Sequence, residues 1–443
     1  MILTNSVIVA VAAVLAMSMA KINVVIALVS GALLGGVVSG MTLVEALRVF
    51  SSGLGGGAEI ALNYAILGAF ASAVAHSGVP IWLSHKIIEL ITKKSRDAYH
   101  QFLFKVIIVL LLVLISILSK NLIPVHVAFI PILIPPLLGI FSELKMDRRL
   151  LSNGMTFGLI ITYMVIPYGF GNIFLENIFL KNLLQSGMDI GLKDVLLGMI
   201  FPALGMLTGL ITSCYAYGKP RIYDLDRTQS IGVREESCSP RDIIISGMAI
   251  LGALIAQLCW KSTLSSALFG FFIFAIGGVV GWRDSDNVVA QGFKMMSSIA
   301  FIMIAAAGFS AVLRASGDIQ ELVNWLAIGV GSSKFLAALG MVTVGLLITM
   351  GIGSSFSTVP IIATIYVPLC MALGFSNLAT ICITAAATVT GDAGSPVSDT
   401  MLACTAGLNA DGQHDHIWDT SIPGFIHFNI PLIIFGVLGA MIL

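Results

Sequence analysis

The chain has 443 residues, 57% of them hydrophobic and only 10% charged, against about 25% charged in a typical soluble domain. Lys plus Arg equal Asp plus Glu, so the formal net charge is zero, which excludes a polybasic membrane-surface or nucleic-acid-binding role. Long apolar runs recur from end to end without the ten-residue alternation of a β-barrel, so the chain reads as an all-α polytopic membrane protein.

About fourteen membrane segments are expected. In the first half they fall near 2–20, 22–39, 58–78, 104–119, 122–141, 152–171 and 195–217. No basic residue precedes Lys21, so the first helix reads as retained rather than as a cleaved leader. Gly53-Leu54-Gly55-Gly56-Gly57 has no following Lys-Ser/Thr, so it is no phosphate loop, and no ATPase motif of a self-contained primary pump occurs. Glu59 and Asn63, one turn apart, and His76 read as interfacial groups, with a functional role as the alternative. His126 reads either as a proton shuttle or as a satisfied buried histidine.

A polar linker, residues 218–241, joins an N-terminal half (1–217) to a C-terminal half (242–443). Segments in the second half fall near 242–259, 264–281, 297–315, 334–352, 356–375, 377–405 and 422–443. Basic residues concentrate at 81–105 (Lys86, Lys93, Lys94, Arg96, Lys105), at 142–151 (Lys145, Arg148, Arg149) and in the linker (Lys219, Arg221, Arg227, Arg234, Arg241). All three stretches are cytoplasmic if even numbers of crossings separate them, which leaves both termini outside. A multi-pass protein of a bacterial-type inner (plasma) membrane is expected. The six Cys show no paired spacing and read as small apolar side chains.

Phe70–Gly78 aligns with Phe309–Gly317, with Phe, Ser and Gly at the same spacing. In each half a Pro-interrupted segment follows (Pro124, Pro131, Pro135 and Pro136; then Pro360 and Pro368), and after it a Gly-interrupted one (Gly169–Asn172; then Gly391–Gly394). An odd number of segments per half would relate the halves by inversion. Two inverted-topology repeats with broken helices point to a secondary transporter whose site lies near the bilayer midplane.

The strongest candidate for that site is Thr390-Gly391-Asp392-Ala393-Gly394-Ser395-Pro396-Val397-Ser398-Asp399-Thr400. A carboxylate at membrane depth costs roughly 2.5–3.5 kcal/mol on insertion scales. Pro396 cannot donate to the carbonyl of Asp392, so that carbonyl, the Asp392 carboxylate and the hydroxyls of Ser395 and Thr390 offer hard oxygen ligands. Such ligands suit Na⁺, and the carboxylate also suits H⁺; competition between the two is the simplest basis for antiport. Asp399, two helical turns on, faces the same cavity if helix resumes, or else caps a helix at a loop edge. The second candidate stretch is Thr349–Pro360, where Ser354, Ser355, Ser357 and Thr358 follow two Gly and would line an opposing broken helix. Close packing of small residues is the other reading. From the first half Asn121 and Asn172 would supply amides in place of an acid. The His414-Asp415-His416 loop reads as a gate or surface loop rather than a metal site.

The run Gly391–Thr400 resembles the GD-x-x-SP-x-SD signature of the NhaC-type Na⁺/H⁺ antiporter family, within the larger ion transporter superfamily. Met350–Pro360, Asn409–Trp418 and Asn429–Gly436 resemble its YuiF branch. The resemblance implies inverted repeats with a scaffold part and a moving transport part. It implies Na⁺/H⁺ exchange, or ion-coupled movement of an amino acid such as histidine. The resulting expectation is a non-enzymatic antiporter that takes Na⁺ at Asp392 and uses no cofactor beyond the coupling Na⁺ or H⁺. Its partners would be small ions or a small amino acid, the lipid bilayer and a second copy of the chain in a homodimer, with no nucleic acid. A cation-coupled amino-acid permease is the alternative.

Overall fold

The computed structural model describes residues 5–20, 22–79, 98–121, 126–229, 239–260, 262–281, 283–318, 333–352, 354–396 and 398–443, with Trp82, Leu83, Lys86 and Glu321. Lys93, Lys94, Arg96, Pro124, Arg234, Cys238 and Val397 lie outside the described residues. All regular structure among the described residues is helical.

The helices are, in order, α1 (Ser6–Met19), α2 (Val24–Val38), α3 (Leu43–Gly53), α4 (Gly55–His76), α5 (Ala98–Asn121), α6 (His126–Leu133) and α7 (Leu138–Glu143). Next come α8 (Arg148–Val165), α9 (Phe170–Gln185), α10 (Leu192–Gly198), α11 (Ile200–Ala216) and α12 (Leu225–Gln229). The second half holds α13 (Pro240–Trp260), α14 (Thr263–Gly277), α15 (Ser285–Ser316), α16 (Lys334–Ile352) and α17 (Ser355–Ala372). It ends with α18 (Asn377–Val389), α19 (Asp399–Leu408) and α20 (His416–Ile442). Among the described residues three helices pass the length and hydropathy test for an unbroken span, Pro240–Gln257, Ser355–Ala372 and His416–Ile442, and up to six do if each bent pair is one span. Large apolar side chains such as Ile211, Ile255 and Ile276 stay exposed, as lipid-facing side chains do.

Helix α3 was not anticipated as a separate element. Its start is fixed by a capping box in which the Thr42 hydroxyl accepts from Glu45 N and the Glu45 carboxylate accepts from Thr42 N. Helix α4 runs antiparallel to α15, with Gly57 against Met303 and Gly68 against Gly292.

The two Pro-interrupted segments near 122–141 and 356–375, which the sequence leaves open as crossings or re-entrant arms, are the return arms of helical hairpins. Tyr366 donates to the Met341 carbonyl (2.6 Å) and Lys334 Nζ to the Gly374 carbonyl (2.5 Å), so α16 and α17 are antiparallel with their open ends together. In the first half α7 ends at Glu143, just before Arg148 starts α8, and α5 runs parallel to α8, so the start of α5 and the end of α7 lie at one end. Segment Ser355–Ala372 is long and apolar enough to cross, and it packs back antiparallel on α16 with the turn between them beside the second break.

Each hairpin presses its tip against a broken helix. Helix α5 runs parallel to α8, with Val109 against Gly154 and Val113 against Gly158. Helix α8 ends at Ile166 in extended conformation because Pro167 follows, and the chain bends by 61° into α9. At the break Gly169 has φ +60°, and a Cβ there would strike the Asn121 carbonyl. Helix α16 runs parallel to α18 in the same way. Gly391 has φ +92° at the second break, and a Cβ there would meet Met350 N at 2.7 Å. Both positions need glycine for its left-handed backbone and for the missing side chain.

The hairpins open at opposite ends of the molecule. Arg148 at the start of α8 bonds the Leu408 carbonyl at the end of α19, so those ends coincide. Ser376, before α18, bonds the Leu443 carbonyl at the far end.

Candidate functional site

The tips and the breaks converge on Asp392, which is 5% exposed. Its Oδ2 accepts from Tyr163 (2.8 Å) and Ser355 (3.1 Å), and its Oδ1 accepts from Ser398 (2.6 Å). The three donors come from α8, from the start of α17 and from the N-cap of α19. Two breaks and one hairpin tip therefore share a single carboxylate. Hydrogen bonds to a charged group contribute about 1.5–3 kcal/mol each, and here they offset the desolvation of the acid. Ser398 does two things: it donates to Asp392 and accepts Thr400 N as the cap of α19.

The sequence-derived candidates divide by what their hydroxyls do. Ser355 reaches Asp392 directly. Ser395 donates to the Met350 carbonyl (2.9 Å), which ties the second break to the tip of the α16–α17 hairpin. Thr390 donates to the Ala387 carbonyl, Ser357 to the Ser354 carbonyl and Thr358 to the Ser355 carbonyl. These three hold their own helix ends, and their oxygens keep acceptor capacity. Ser354 is half-buried and caps α17 by position. Asp399 is half-buried in the first turn of α19, where the helix dipole favours an acid. Asn121 accepts Gly171 N (3.2 Å) and so braces the first break, while Asn172 sits half-buried one residue further on. The His126 side chain lies outside the described residues.

Three participants were not anticipated: Tyr163, Ser398 as a direct ligand of the acid, and Lys120. The Lys120 side chain is buried, with Nζ 5.1 Å from the centre of the Phe170 ring, 5.7 Å from Phe356 and 5.9 Å from Tyr163. The same rings pack on one another, Tyr163 on Phe356 edge to face at 5.1 Å and Phe170 on Phe356 at 5.2 Å. The amine feels the negative charges of Asp392 and Asp399. An ammonium, a carboxylate and rotatable hydroxyls enclosed by aromatic rings form a site that can exchange one cation for another.

The polar loop 409–415 closes the end of the molecule nearest α8. Asp411 takes a two-pronged ion pair from Arg148 (both contacts 2.6 Å), with both side chains fully buried. Arg221 of the linker pairs with Asp419 (2.7 Å), and Asp224 N donates to Gln413. The first part of the polar linker is therefore docked against this end of the molecule. His416 bonds the Pro396 carbonyl (2.8 Å), which connects this loop to the second break. His414 is 1% exposed and shares a 2.8 Å hydrogen bond with Thr420. Burial pushes its imidazole down to about 4; the charge of Asp419 opposes the shift, and Arg148 and Arg221 reinforce it. Among the described residues no cluster of His, Cys, Asp and Glu is arranged to hold a metal ion. At the opposite end Glu59 is exposed and pairs with Lys181 (3.6 Å), while Asn63 is buried.

The sequence profile of the Na⁺/H⁺ antiporter family matches residues 154–439, and a second profile of an Na⁺-H⁺ antiporter family matches residues 5–91. The chain is 49% identical over 441 residues to an uncharacterized membrane protein of Vibrio parahaemolyticus, covering 99% of this chain and all of that one. It is 47% identical over 406 residues to the Bacillus subtilis protein named "Putative amino acid transporter YuiF", covering 90% of this chain and 91% of that one. Among solved structures it resembles Neisseria gonorrhoeae MtrF, described as one of a class of antimetabolite efflux pumps, with a TM-score of 0.56 at 17% identity over 90% of this chain and 85% of that one. It also resembles the Alcanivorax borkumensis YdaH transporter, with a TM-score of 0.57 at 14% identity over 90% and 88%. At such identities the structural likeness speaks to the fold, which is that of polytopic transporters. A profile match over most of the length and relatives near half identity along the whole chain place it together: this chain is a member of the Na⁺/H⁺ antiporter family.

Proposed function

We propose that this secondary transporter exchanges Na⁺ for H⁺ by alternating access, with Asp392 carrying the ion. The observation that supports it best is the buried Asp392 carboxylate, held by three hydroxyls where a hairpin tip and both broken helices meet. Rotation of those hydroxyls turns lone pairs toward a bound Na⁺, with Ser355, Ser398 and Tyr163 nearest and Thr390, Ser354, Ser357 and Thr358 behind them. A proton on Asp392 competes for the same oxygens, so one ion leaves as the other arrives. Lys120 supplies resident positive charge when the carboxylate holds neither. The hairpins and broken helices would move against the scaffold of α1–α4 and α13–α15.

In proteoliposomes with an imposed pH gradient, added Na⁺ should collapse the gradient, and Asp392→Asn should lose that response while still folding. A variant that exchanges as fast as the parent removes Asp392 from the mechanism. The relative named for amino-acid transport favours a second reading, cation-coupled amino-acid uptake. Labelled histidine that accumulates while Na⁺ leaves the pH gradient intact would replace the first reading by the second.

A further inference from the structure

A cavity of about 330 Å³ lies away from Asp392, between the glycine-rich start of α4, the last turns of α15, helix α9 and Pro360 of α17. Its lining includes two cationic side chains, Arg314 and Lys181, and no carboxylate. Three amides, Asn177, Asn182 and Gln185, face the same space. Ser310 is the decisive group. It borders the cavity, is fully buried, and its hydroxyl has no hydrogen-bond partner. A buried hydroxyl without a partner costs about 1–3 kcal/mol, so it points to a missing ligand. Gly56 and Gly57 of α4 also line the wall, with the Gly57 N–H already given to the Leu54 carbonyl (3.1 Å).

We propose that this cavity binds a small carboxylate. Arg314 offers a forked donor and Lys181 a second cation; the Ser310 hydroxyl and the amides of Asn177, Asn182 and Gln185 complete a set of donors around one anionic group. Arg314 already donates to Thr364 at 3.3 Å, which orients it without using up its donors. The carboxylate can belong to a simple organic acid or to an amino acid. In the latter case the exposed Glu59, 3.6 Å from Lys181, stands at the rim to take the ammonium. The proposal goes beyond ion exchange at Asp392 and does not depend on it, because it is tested by binding rather than transport.

The full chain in nanodiscs is titrated with radiolabelled propionate at fixed ionic strength, with L-alanine and propylamine as competitors. Propionate should bind saturably, and L-alanine should compete while propylamine does not. Competition by L-alanine stronger than by unlabelled propionate assigns the site to amino acids through Glu59; weaker competition assigns it to simple carboxylates. Arg314→Gln should weaken propionate about tenfold or more, and Lys181→Met should weaken it less. If Arg314→Gln fails to fold by size-exclusion chromatography, Lys181→Met and Ser310→Val carry the test. Absence of saturable propionate binding, equal competition by propylamine, or unchanged affinity in Lys181→Met together with whichever second variant folds overturns the proposal.

Discussion

Lys120 shows how a residue's role depends on where the chain turns. In the sequence it ends an apolar run, where lysine ordinarily reaches the interface. Because α5 stops at the hairpin tip beside the first break, the amine lies instead among three aromatic rings and within the field of two acids. A resident cation that shares the field of Asp392 competes with Na⁺ for that carboxylate. Lys120→Met should therefore tighten half-saturation by Na⁺ on the order of tenfold or more and slow turnover, because the cation that displaces Na⁺ is gone. Lys120→Arg keeps the charge and should change half-saturation far less. Equal Na⁺ half-saturation in Lys120→Met and the parent would deny Lys120 any part in the exchange. Asp392 was legible in the sequence because a charge beside Gly and Pro at membrane depth is costly wherever the chain folds. Tyr163 was not, since a tyrosine in an apolar helix looks like packing until its hydroxyl is seen to reach Asp392.

Among the elements, the broken helices could be read from the sequence, and the direction of the hairpins could not. Pro and Gly announce a break locally, at Pro167–Gly169 and at Gly391–Pro396. Hydropathy measures apolar length, and a return arm such as α17 is as long and apolar as a crossing. Loop 409–415 was equally opaque, because its acids find their partners on α8 and the linker, far away in sequence. Its buried Arg148–Asp411 pair gives a clear expectation. Arg148→Met takes the counter-charge from the buried Asp411 carboxylate and should destabilise by about 3–5 kcal/mol, while Arg148→Met with Asp411→Leu should recover most of that loss. Thermal unfolding in one detergent measures both; a double variant no more stable than the single one would show that the pair does more than neutralise itself. The same loop carries a pH dependence. Folding lowers the His414 value from about 6.5 to about 4, so the unfolded chain binds the extra proton. Stability from this group is complete above about pH 6.5 and drains away as the pH falls toward 4. The drop in Tm between pH 6.5 and 4.5 should be shallower in His414→Asn than in the parent. Parallel curves would assign the acid lability to other groups.

Both ends of the molecule take their identity from the chain's charges. The end formed by the starts of α5 and α8, the end of α19 and the linker holds Lys105, Lys145, Arg148, Arg149 and Arg221. The opposite end holds the turn between α9 and α10, the open end of the α16–α17 hairpin and the C-terminus. By the positive-inside tendency the first end is expected on the cytoplasmic side. If each hairpin re-enters on its own side, replacing two crossings by one hairpin leaves this orientation unchanged. That invariance explains why the orientation argued from the sequence does not depend on the extra crossings counted there. It also fixes how the carboxylate cavity would be reached, since Lys181 and Arg314 lie at the opposite end and would face the outside. Single cysteines at Asp189, in the exposed α9–α10 turn, and at Asp226, in the linker, separate the two orientations in a cysteine-depleted background. A membrane-impermeant maleimide added to intact cells should label Asp189→Cys at once and Asp226→Cys only after permeabilisation. The reverse pattern would invert the molecule, turn the carboxylate cavity toward the cytoplasm, and require the Arg148–Asp411 closure to act as the outer gate.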